Sequence, residues 1–198
     1  MRKAIMLAVA LSLAAGFASA TPDRAIHVVE QLVGFRGDAM VVRQLVRDNL
    51  GSHFESRIQV WLLERRLADG ETLSRLLLAD YRELRYDGLE FREGRPDEHL
   101  AEVLAARPDL FFDLEYAFPE GNQQGLRVEG GELVWTVKGE EGRLDLLSRL
   151  PELAGYPGTA SVLQEYGREG YRVLLVDYGA SCADTDYFQR VVALPLRE

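Results

Sequence analysis

The chain has 198 residues, one cysteine and a formal net charge of −9. That balance argues against a nucleic-acid partner and against adhesion to anionic lipid. A single cysteine excludes an internal disulfide, so packing alone must hold the fold.

Residues 1–20 read as an export signal. Arg2 and Lys3 form a positive end, the run over 4–15 is apolar but for Ser12, and Ala18-Ser19-Ala20 is a small-x-small cleavage site. The mature chain is then expected to start at Thr21, in the bacterial periplasm or secreted beyond it. The apolar run is shorter than the ~20 residues of a spanning helix. No later segment is apolar enough to span a bilayer, so no membrane insertion is expected after cleavage. The remaining length suffices for a real core, burying roughly 70% of its unfolded surface.

From 22 to about 88 the pattern reads as four helices. Asp23 caps the first, with Ile26, Val29 and Val33 on one face. Asp38 caps the second over 39–50, striped by Val41, Val42, Leu45 and Val46. Ser52 and Glu55 make a capping box for the third, which runs to Ala68. The fourth spans 71–85 with Leu73, Leu77, Tyr81 and Leu84 in register. Gly34 with Gly37, Gly51 and Gly70 are read as helix stops. A short strand is expected at Leu89-Glu90-Phe91, and a further helix opened by Pro96 or Asp97 and running to Ala106. Pro108 at a first helical position favours helix over strand for 109–116. The loop over 119–125 marks a seam between the two parts.

After the seam, Leu126 to Lys138 reads as a hairpin turning at Gly130-Gly131. Helices follow over 143–153 and from a Thr159 cap to Tyr166. Tyr171 to Tyr178 has four consecutive aliphatic residues between Gly170 and Gly179. It reads as a central strand buried on both faces by helices. A last strand runs over 187–196. The expected class is α+β: a bundle-like helical part over 21–120 packed with a four-stranded, mainly antiparallel sheet over 121–198 carrying one or two helices, as one domain or two.

The loop after the central strand holds the candidate binding residues Asp177, Cys182, Asp184 and Asp186, because loops on a rigid sheet are where function tends to lie. A nucleophilic Cys182 needs a base, and only His27, His53 and His99 exist. An intermolecular disulfide or no role at all is the plainer reading of that thiol. The three acids lack the spacing of a calcium loop. His27 with Glu30 and His99 with Glu102 are three apart on predicted helices, and are read as surface ion pairs or caps rather than metal ligands. Asp109, Asp113, Glu115 and Glu120 lie beside Phe111, Phe112, Tyr116 and Phe118. Alternation favours a segment with aromatics in the core and acids in water; a glycosidase-like carboxylate pair is the alternative.

No complete catalytic set occurs, so catalytic residues stay unassigned, and no metal or cofactor is expected. The expected function is a non-enzymatic exported protein that binds another protein or a small molecule. The alternative is an envelope-polymer hydrolase using paired carboxylates. A homodimer packed through the helical half is a third option.

Overall fold

The computed structural model describes residues 23–120, 126–137, 140–156, 160–179 and 185–196. The expected signal, the loop over 121–125, Thr159, Cys182 and Asp184 therefore lie outside the described residues.

Strands β1 (Ile26–Arg36), β2 (Ala39–Asp48), β3 (Glu55–Arg66), β4 (Thr72–Tyr86) and β5 (Leu89–Glu93) form an antiparallel meander. The helical bundle expected over this stretch is thus corrected to sheet. β1 and β2 carry Ile26, Val28, Val29, Val33, Val41, Val42 and Val46, β-branched residues that suit a pleated surface. In β1 the buried positions Val28, Glu30 and Leu32 alternate, as a strand requires. Of the residues taken for helix stops, Gly37, Gly51 and Gly70 lie in the connections between strands, while Gly34 lies within β1. Asp87 and Gly88 both hold positive φ, 50° and 77°, as a two-residue type I′ turn demands.

After the meander, helix α1 (Pro96–Ala106) forms as expected, with Pro96 in its first turn beside Asp97 and Glu98. It packs on β4. Residues 108–113 then make turns instead of the expected helix, with Asp113 at φ 55°. The two-residue strands β6 (Glu115–Tyr116) and β7 (Pro119–Glu120) follow. β6 pairs with the far half of β1, at Gly34 and Phe35. A Cβ on Gly34 would stand 2.4 Å from the Glu115 carbonyl oxygen, so only glycine admits this approach.

In the second half the expected hairpin is present as β8 (Arg127–Glu129) and β9 (Glu132–Val137). The expected helix over 143–153 is replaced by β10 (Glu140–Asp145) and a 3-10 turn (Pro151–Gly155), which begins where Pro151 blocks regular helix. β8–β10 form a separate three-stranded sheet. The expected helix ending at Tyr166 is instead β11 (Ser161–Arg168), paired to β12 (Tyr171–Gly179) with a bulge between Val162 and Gln164. β13 (Tyr187–Pro195) runs antiparallel to β12 and parallel to β1. The protein is mostly β, and the α+β description with a four-stranded sheet is corrected accordingly.

The large sheet runs β5-β4-β3-β2-β1-β13-β12-β11-β7. Because β6 and β7 belong to one short segment, and β6 returns to β1, the pairings close a ring around an apolar core. Leu32, Phe35, Met40, Val42, Tyr166, Val173, Leu175, Val191 and Ala193 fill it. The opposite face of β12 and β13 presents Leu174, Val176, Tyr178, Val192 and Leu194 to the small sheet and its 3-10 turn, through Leu133, Leu146, Leu150 and Leu153. β12 is therefore buried on both faces as expected, although strands and the 3-10 turn cover it, not helices. Among the described residues no helix is long and apolar enough to cross a membrane.

Candidate functional site

Of the four candidate binding residues, two can be placed. Asp177, half-buried in β12, accepts a hydrogen bond from the Ser161 hydroxyl across the ladder. Asp186, just before β13, accepts from the Ile26 backbone N–H at 2.9 Å and from the Tyr156 hydroxyl at 3.3 Å. It ties the start of β1 to the segment ahead of β11. His27 meets the Thr185 carbonyl at 2.9 Å, its ring N–H donating.

The acidic and aromatic segment departs from the expected arrangement. Leu110 and Leu114 are the buried anchors, and Arg36 donates to the Leu110 carbonyl at 2.6 Å. Phe111, Phe112, Tyr116 and Phe118 are exposed. The turns over 108–113 break the alternation that would have sent the rings inward. Asp109 accepts from Arg107, and that hydrogen bond holds its carboxyl below the usual range. Glu115 pairs with Arg168 at 2.8 Å. A general acid needs a carboxyl shifted the other way.

The reading of Glu30 as a surface partner of His27 is overturned. Glu30 is 2% exposed and receives five hydrogen bonds. Arg65 binds it bidentately at 2.6 and 2.9 Å, Gln44 donates at 2.7 Å, Arg190 Nε at 3.0 Å and the Val191 N–H at 2.9 Å. Its location explains the need. β1 and β13 pair in register only up to Val29 and Gln189, and beyond that the carboxylate takes the Val191 N–H. Burial alone pushes the Glu30 carboxyl up. The Arg65 hydrogen bonds and the charges of Arg190 and Arg65 outweigh it, and the carboxyl is held below its ordinary value.

From Arg190 the chain of contacts continues to Glu152 on the 3-10 turn, which also accepts from the Tyr178 hydroxyl at 2.9 Å. Burial is the main cause that pushes the Tyr178 phenol well above its ordinary value. The 3-10 turn is thus clasped to β12 and β13 by Glu152, and the residue after it, Tyr156, is clasped to Asp186. A polar cleft of about 160 Å³ reaches Arg65, Arg149 and Arg190 beside Thr72 and Ser148. Its arginines are committed: Arg65 to Glu30, Arg190 to Glu30 and Glu152, Arg149 to the Ala68 carbonyl.

On the other side of the same turn lies a cavity of about 310 Å³. Val128 of β8, Gly130 and Gly131 of the hairpin turn, Leu147, Leu153, Ala154, Tyr156 and Ala160 line it. Gly130 and Ala154, the exposed members of this wall, mark its mouth; Leu153 is buried. Gly131 is at φ 86°, and a Cβ there would meet Leu147 Cγ at 2.6 Å, so this position keeps Leu147 close against the turn. Tyr156 belongs to a ring cluster with Tyr178 and Phe188, centroids 5.1 to 5.8 Å apart. Among the described residues, none that lines it is charged. Gly130-Gly131 was legible as a turn, but nothing in the sequence joins it to Ala154 and Ala160. Glu30, Glu152 and Arg190 likewise carry no motif; each reads as an ordinary surface charge.

No protein-family model, no curated protein and no solved structure matches this chain.

Proposed function

We propose that the protein is an exported, non-enzymatic binding protein of the bacterial periplasm, and that it works by holding a small molecule in the cavity beside the 3-10 turn. The observation that carries this reading is the cavity: about 310 Å³, uncharged, with its lining drawn from several elements. Small-molecule sites are concave, mostly apolar and about 300–1,000 Å³. The two clasps support it, since Glu152, held by Tyr178 and Arg190, and Asp186, held by Tyr156 and the Ile26 N–H, fix the wall segment with their charges engaged. The export assignment rests on Arg2, Lys3, the apolar run and Ala18-Ser19-Ala20.

The test is titration of the mature chain with the neutral ten-carbon fluorophore 1-aminonaphthalene. Saturable enhancement at one dye per chain is expected, and Ala154→Trp, which plugs the mouth, abolishes it. Absence of saturable binding, or equal binding by the plugged variant, defeats the proposal. N-terminal sequencing of protein recovered from the periplasm checks export, with Thr21 expected first.

A further inference from the structure

We infer, building on that binding role, that the occupant is an uncharged hydrocarbon group of up to about twelve carbons, a limit that follows from a cavity of about 150 Å³ accepting benzene. The volume here, about 310 Å³, is roughly double that. The wall supplies apolar side chains, glycine backbone and one tyrosine ring. A charged head cannot follow the chain inside, because an ionised group without a partner is too costly to bury. Two charges beside the wall are already engaged: Glu152 with Tyr178 and Arg190, Asp186 with Ile26 and Tyr156. The space itself is made by small residues. Gly130, Ala154 and Ala160 line it with little or no side chain, and Gly131 lets Leu147 stand close against the turn.

Straight-chain alcohols from six to sixteen carbons, displacing the same dye, read the limit directly. Affinity should rise about fourfold per methylene, the equivalent of burying each one, and stop rising near twelve. The carboxylate of equal length should bind more than tenfold more weakly at neutral pH. Ala160→Leu adds three carbons to the wall and should shorten the optimum by about as many; Ala154→Leu at the mouth provides a second variant should that one fail to fold. Vesicles of phosphatidylcholine separate two sources of the same chemistry. Removal of lipid from them assigns an acyl tail, and its failure beside tight dodecanol binding assigns a free molecule; either supports the inference. Affinity that climbs steadily through sixteen carbons, a carboxylate that binds as well as the alcohol, or an optimum unmoved by both variants overturns it. If neither dye nor any alcohol binds, the binding role itself fails, and that outcome is distinct from these.

Discussion

The two faces of β12 and β13 are built to different ends. On the ring side, Val173, Leu175, Val191 and Ala193 meet large side chains from β1 and β2, and a buried carboxylate is saturated with donors. On the other side, the small sheet and 3-10 turn close over Leu174 and Val176 but leave a cavity where glycines and alanines stand. Long strands of β-branched and large residues can fill the space between them, whereas a three-stranded sheet joined by tight turns cannot. The difference teaches that rigidity and room are divided between the faces of one strand pair. The Glu152 and Asp186 clasps hold the roomy side in place.

Four changes would break or sharpen that contrast. The largest effect is expected at Glu30. Glu30→Gln leaves Arg65 and Arg190 facing a neutral group in the interior, and should cost about 3–5 kcal/mol in urea unfolding. Next, Gly34→Ala drives a Cβ into the Glu115 carbonyl and should cost about 1–3 kcal/mol, with loss of amide protection at β6 by hydrogen exchange. Tyr178→Phe removes the hydroxyl that holds Glu152 and should cost about 1 kcal/mol, while leaving the ring stack. The smallest effect has the opposite sign: Ala160→Leu fills the cavity and should raise stability by up to about 1 kcal/mol while weakening binding.

A pH titration sharpens the ring side. The folded pKa of Glu30 lies below its ordinary value of 4.5, so its contribution to stability is fully present above that pH. It is lost as pH falls from about 4.5 through the folded value. Stability of the native chain minus that of Glu30→Gln, measured by urea unfolding from pH 7 down to pH 3, should shrink in that window. A difference that stays constant there would show that the fold does not favour the ionised form of Glu30.

Much of this contrast was invisible in the sequence for reasons that particular residues make plain. Alternation in β1 is hidden because one buried position, Glu30, is charged. In β3 the buried positions Ser56 and Arg65 are polar, and the buried series changes parity between Leu62 and Leu63, both of which are buried. A shifted period of two leaves apolar residues three and four apart, which a helix also explains. Asp87-Gly88 did carry a hairpin signature, outweighed by the apparent helical stripe before it. Asp186 was legible as a loop acid, but its partners Ile26 and Tyr156 are 160 and 30 residues away.

By itself the sequence determined the doubly buried strand β12, the Gly130-Gly131 hairpin, helix α1 and the last strand. Each is specified locally, by an unbroken aliphatic run, by glycines able to take positive φ, or by a proline at a helix start. Only the tertiary structure decided that the first half is sheet, that Glu30 is an interior charge, and that a cavity opens beside Ala154. Those features depend on which distant residue a side chain meets, because burial and saturation of a charge are properties of its neighbours and not of its place in the chain.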